Sequence, residues 1–209
     1  MLLGLNSVKN IAIAASLDKL FRGGRIVPEF NACDLWMHSI AVATGARLLA
    51  ERSGMVLPDE AFLAGMIHDL GIMVELQARR SLFIQLVEEL GANPSLTFRE
   101  AEAQSLGATH EEFGAALCRK WKFPASFEEV TGYHHHPLDL LGDARLLPAM
   151  VHVADILAAR IGVGYIRTVE TDTIDPQLLE MLTLTADDVA VVGEALPEAT
   201  CEAQLLLSE

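Results

Sequence analysis

Basic residues are scarce: 15 Lys and Arg stand against 29 Asp and Glu, a formal net charge of −14. A surface this acidic repels nucleic-acid phosphates and anionic lipid headgroups. The few basic pairs, such as Arg79-Arg80, are short and sit among helical residues, so neither nucleic acid nor a membrane surface is expected as a partner. Cysteine is nearly absent. Cys33, Cys118 and Cys201 are odd in number, far apart and in no C-x-x-C pattern, which excludes a disulfide framework and points to a reducing cytoplasm. Each thiol reads as a small buried apolar group. No apolar run reaches the roughly 18 residues that a membrane span needs. The apolar start, 1–16, carries Lys9 after its first apolar residues, so it lacks a signal-peptide layout and reads as a core helix. Aromatic side chains are few as well, with two Trp and two Tyr, and the core must be mostly aliphatic. Period-2 alternation is missing, which predicts little or no sheet. There is no internal repeat and no low-complexity segment.

Helix-forming apolar residues are what remain. Apolar residues make up 51% of 209 positions, enough for one large domain or two small ones that share an interface. Ala and Leu dominate, and both favour helix. The periodicity predicts helices over 6–21, 31–53, 59–69, 71–90, 98–106, 110–121, 125–135, 143–162, 175–182, 186–193 and 197–207. Gly23-Gly24 breaks the first from the second. Gly54 stops the second, and Pro58-Asp59 opens the third. Thr185 before Asp187-Asp188 is an N-cap with acids suited to the helix dipole. The stretch 165–175 is polar and reads as a surface loop. The expected fold class is all-α, a multi-helix bundle.

The seven histidines stand beside helix signals. His38 lies four residues after Asp34, on one helix face. His68-Asp69 precedes Leu70-Gly71, His110 follows Thr109, and His134-His135-His136 follow Tyr133. Asp155 lies three residues after His152. Adjacent helical residues point about 100° apart, so a His-Asp pair meets one ion only at a helix end or bend. Gly71 permits such an end. A mixed imidazole and carboxylate set suits Fe, Mn, Ni, Co or Zn.

The order His38, His68-Asp69, Asp155 resembles the HD superfamily of metal-dependent phosphohydrolases, and the surrounding words resemble its HDOD branch. These words are Leu35-Trp36-Met37-His38-Ser39, then Ala61-Phe62-Leu63-Ala64-Gly65-Met66-Ile67-His68-Asp69-Leu70-Gly71. They continue with Glu102 ahead of Gly107-Ala108-Thr109-His110-Glu111-Glu112-Phe113-Gly114, with Trp121-Lys122-Phe123-Pro124, with His134-His135-His136-Pro137, and with Val151-His152-Val153-Ala154-Asp155. The match runs over about 2–207. It implies a helical domain of the HD type over 1–209 with its core near 31–165, lacking the upstream helical region that members of the branch carry. Apolar surface left bare there would favour a homodimer. Two departures bear on activity. The related HD-GYP branch, which cleaves cyclic di-GMP, has Gly-Tyr-Pro after its His-His pair, where this chain has His136-Pro137-Leu138-Asp139. Ile72 also stands where a lysine commonly follows the His-Asp-x-Gly word.

By this resemblance, His38, His68, Asp69 and Asp155 would hold one divalent ion, with His110, His134 and His135 for a second. Asp69 would bridge them and, in an enzyme, serve catalysis. The competing reading is a buried hydrogen-bonded network inherited from a catalytic ancestor. His152 reads as structural, His136 as solvent-facing or capping, and Asp34 as a first-turn acid. Trp36 and Trp121 read as core anchors, and Glu88-Glu89, Glu100, Glu102, Glu111 and Glu112 as solvated acids, with packing near the site as the alternative for Glu102, which matches a family word. Two functions follow. One is a non-catalytic signal-transduction output module that binds a signalling protein or a small phosphorylated effector. The other is a metal-dependent phosphohydrolase acting on a nucleotide or another phosphate ester. The missing Gly-Tyr-Pro and Ile72 favour the first. So does the lack of a phosphate clamp, since Arg47, Arg79, Arg80, Lys120 and Lys122 have no spacing that argues for one.

Overall fold

The structure is a computed structural model that describes residues 25–208. The helix expected over 6–21 and the Gly23-Gly24 break lie outside the described residues. A short antiparallel pair, β1 (Arg25–Val27) and β2 (Phe30–Asn31), leads into the bundle. The helices are α1 (Ala32–Ser53), α2 (Pro58–Ile67), α3 (Leu70–Ala78), α4 (Arg80–Ala92), α5 (Phe98–Ser105), α6 (His110–Trp121), α7 (Ala125–Tyr133), α8 (Leu146–Arg160), α9 (Pro176–Met181) and α10 (Ala186–Ser208). The all-α expectation holds, with this small sheet as its one exception among the described residues.

Helix α1 is the central element. Asn31 caps it, its side chain accepting from Cys33 N, and Gly54 ends it in a left-handed turn. It packs against α2, α8 and α10, and α3 packs against α6. Pro58–Ala78 is long and apolar enough to cross a membrane, but 78% of its most apolar window is buried inside the fold. It is also broken at His68-Asp69, so it is a pair of core helices.

Several expectations need correction. The helix expected over 71–90 breaks at Arg79, whose φ of −136° is not helical. Helices expected over 186–193 and 197–207 form one element, α10, with Pro197 inside it. The stripe Val189, Val192, Leu196 and Thr200 is buried along its length, and this packing outweighs the hydrogen bond that proline cannot make. Helix α8 starts at Leu146, after a 3-10 turn at Gly142–Arg145. Trp121 is 47% exposed and anchors no core. Cys33 and Cys201 are exposed, and only Cys118 is buried as expected. Glu102 and Glu111 are buried instead of solvated, while Glu88, Glu89, Glu100 and Glu112 do face solvent.

Candidate metal centre

The seven residues expected as metal ligands reach one place. Helix α2 ends at Ile67 and α3 begins at Leu70, so His68 and Asp69 occupy the break between them. That break turns both side chains inward, as two adjacent ligands require. Gly71 then lets α3 touch the start of α6. A Cβ there would overlap the His110 carbonyl oxygen and lie 2.9 Å from Gly114 N. His110 is the first residue of α6, fixed by a capping box of Thr109 and Glu112. His134 and His135 leave the end of α7. Across the bundle, α1 supplies His38 and α8 supplies Asp155.

Asp69 is the hub. Its Oδ2 lies 3.3 Å from His68 Nε2, while its Oδ1 lies 3.5 Å from His110 Nε2 and 3.4 Å from His134 Nε2. Two ligand-like groups result, His38 with His68 and Asp69, and Asp69 with His110, His134 and His135. Within each, one donor atom per residue falls inside 4.8 Å of the others. Asp155 closes the first group through Oδ1, 2.8 Å from His38 Nε2 and 3.8 Å from His68 Nε2. His38, His68, Asp69, His110, His134 and Asp155 are all at most 2% exposed. His135 is half-buried, with its Nε2 3.1 Å from His110 Nε2.

Hydrogen bonds on the far side of three rings decide what faces inward. His68 Nδ1 donates to Gly65 O at 2.7 Å, and His134 Nδ1 donates to Val130 O at 3.1 Å. A carbonyl only accepts, so each Nδ1 carries a hydrogen. His110 Nδ1 bonds both oxygens of Glu102, at 2.8 and 2.9 Å. In the neutral tautomer all three Nε2 atoms are therefore bare lone pairs, and all three face the Asp69 carboxylate. Such a convergence repels itself unless a proton or a cation fills it. His68 Nε2, His134 Nε2 and both Asp69 oxygens are buried without a hydrogen-bond partner. Each such atom costs about 1–3 kcal/mol.

The titration behaviour follows. Burial would lower His110, but Glu102 beside it, with Asp69 and Glu111, outweighs this and raises it to about 10. Burial likewise opposes the charged form of His68, yet Asp69 and Asp155 raise it. Asp69 is held well below its ordinary value because His68, His134 and His110 outweigh its burial. Burial, then His134 and His110, push His135 down. His110 and His68 thus favour their protonated forms against the Asp69 carboxylate. A divalent ion, which satisfies lone pairs and carboxylate together, fits the same donors, and the imidazole and carboxylate set suits Fe, Mn, Ni, Co or Zn. His38 is different. Its Nε2 engages Asp155, and its buried Nδ1 has no hydrogen-bond partner.

Other candidates stay outside. His152 Nδ1 donates to His134 O at 2.7 Å, a structural bond. His136 lies 3.7 Å from Glu111 Oε1. Asp34 is exposed, and its side chain accepts from Asn31 at 3.4 Å. Arg47, Arg79, Arg80, Lys120 and Lys122 are exposed on the outside of the helices. Sequence reasoning missed Glu75 and Arg99, and it placed Glu102 near the site without its bond to His110. Glu75 is fully buried, and burial with the neighbouring Glu102 pushes it up to about 10. Its one signal was a lone acid inside the apolar run Ile72-Met73-Val74-Glu75-Leu76. Arg99 Nε donates to Glu111 at 2.7 Å and its Nη1 donates to Glu170 at 3.2 Å.

A helical bundle with a His/Asp cluster at a helix break defines a protein of the HD type. The chain belongs to the HDOD family, whose domain model matches residues 1–137. A solved structure from Marinobacter aquaeolei VT8, ascribed to signal transduction, is similar with TM-score 0.81 and 21% identity, covering 99% of this chain and 45% of that one. An HDOD domain protein of unknown function from Geobacter sulfurreducens is similar with TM-score 0.69 and 26% identity, covering 94% of this chain and 72% of that one. A Shewanella amazonensis SB2B protein ascribed to the phosphohydrolases gives TM-score 0.71 and 22% identity, covering 98% and 74%. The chain spans only a quarter of an uncharacterized Treponema pallidum protein, 22% identical over 134 residues, and under half of the Marinobacter chain.

Proposed function

We propose that this chain is a signal-transduction output module, built around a metal-carrying His/Asp cluster, that acts by binding a partner protein or small effector and does not turn over phosphate esters. The observation that carries this reading is the closure of the cluster. Six of its donors are at most 2% exposed, whereas a catalytic ion keeps an open position that substrate can reach. Arg99, whose charge acts on His135, already pairs with Glu111 and Glu170, so a phosphate would have to compete with two carboxylates for its guanidinium. The Marinobacter relative's ascription to signal transduction agrees with this reading.

The alternative is a phosphohydrolase. One observation favours it: the two Asp69 oxygens face different histidine sets, the arrangement of a carboxylate shared between paired ions. Ions held by these residues would supply Lewis acidity and a water of lowered pKa. One experiment separates the readings. Protein purified without air and without chelator is assayed for metal by mass spectrometry and for hydrolysis of bis(p-nitrophenyl) phosphate, beside a His68→Ala/Asp69→Ala variant. The module reading expects about one or two ions per chain, lost in the variant with its fold intact, and no turnover. Turnover that disappears in the variant would establish the hydrolase. Metal-free protein would remove the ion from the reading.

A further inference from the structure

No hydrogen bond holds the His38 ring through its buried Nδ1. Its support comes from elsewhere. Helix α8 carries Asp155, which engages the His38 ring, and the chain leaving α8 turns back onto the His38 backbone. Gly164 makes that contact. It has φ +75°, and a Cβ there would overlap Asp34 O, with His38 N at 2.5 Å and His38 Cβ at 2.9 Å. Tyr165 N then donates to Asp34 O at 3.0 Å. The Tyr165 ring packs edge-on against Phe30, at 4.9 Å between centroids, and against Phe98, at 6.0 Å. Phe98 packs in turn on His110 at 5.9 Å.

We infer that Gly164 is a positioning residue for the cluster: together with Tyr165 it clamps the first turn of α1 so that the His38 ring meets Asp155. Helix α8 and the turn that follows it thus grip His38 twice, by its ring through Asp155 and by its backbone through Gly164. A left-handed residue without Cβ is needed because any side chain would push α1 away from α8. As a statement about ligand placement, this rests on the metal reading above. Gly162 supplies an internal control. It has φ +69° in the same turn, but nothing lies within 4 Å of its Cβ position. Alanine at either site meets the same backbone penalty, and only at Gly164 does it also meet His38.

The test compares unmodified protein, Gly164→Ala and Gly162→Ala by imidazole nitrogen NMR of the metal-free chains and by cobalt(II) titration. Gly164→Ala should shift the His38 ring signals away from their Asp155-bonded values and weaken cobalt binding by about tenfold or more, the scale on which ligand-orienting contacts act. Gly162→Ala should change neither. Equal spectra and cobalt affinities in the two variants would overturn the inference. If the unmodified chain takes up no cobalt, the metal reading fails, and the metal-free spectra still decide the role of Gly164. Hydrogen exchange of the unmodified protein keeps the question answerable should Gly164→Ala not fold. The clamp requires the Tyr165 amide to be as protected as those of α1, and exchange as fast as that of Ile166 would refute it.

Discussion

Glu102 grips His110 with both carboxylate oxygens, at 2.8 and 2.9 Å from Nδ1, where neither residue is accessible to solvent. This contact fixes the ring and turns Nε2 toward Asp69. Glu102→Ala should therefore weaken metal binding about 10- to 100-fold, the cost of losing a ligand-orienting partner. Glu102→Gln, which can still accept from Nδ1, should lose much less. Competition titration with a chelator measures both, and equal losses would show that Glu102 acts by charge and not by orientation.

Asp69 divides its oxygens between two sets of histidines, so its removal should differ in kind from that of an outer ligand. Asp69→Ala should bring bound ion to about zero per chain, whereas His135→Ala should leave the His38 and His68 ion in place. Metal analysis of the two purified variants decides it. Retention of one ion in Asp69→Ala would mean that the two groups are independent.

Glu75 should make the metal-free fold less stable in alkali. Its carboxyl keeps its proton in the folded chain up to about pH 10, against an ordinary value of 4.5. Between these values the folded chain binds a proton that the unfolded chain has lost, so this group's contribution to stability falls as pH rises. Glu75→Gln is neutral throughout and can donate to Glu102. It should raise Tm by about 2–4 °C at pH 8 and have no such effect at pH 4. A Tm difference that does not change with pH would contradict this.

Pro197 sits inside α10 on its exposed side. There it removes one helical hydrogen bond and crowds the preceding turn. Pro197→Ala should stabilise the chain by up to about 3 kcal/mol, read as a higher midpoint in thermal or urea unfolding. An unchanged midpoint would show that the helix has adapted to its proline at no cost.

Much of this protein is legible in one dimension. Helical periodicity and caps such as Asn31 and Thr109 act within a turn or two, so the sequence by itself determined the helical class and most element positions. Motif order likewise placed His38, His68, Asp69, His110, His134, His135 and Asp155 together before their distances were known. Where local signals compete with packing, sequence reading failed. The helices read separately over 186–193 and 197–207 are one, because the buried stripe of α10 runs past Pro197. Glu75, Glu102 and Glu111 look like surface acids until the packing of α3, α5 and α6 removes their water. Gly164 carries no motif, and its importance lies in its approach to a residue 126 positions earlier. Only tertiary structure decided these points, because burial, close backbone approach and the resulting pKa shifts are set by neighbours distant in sequence.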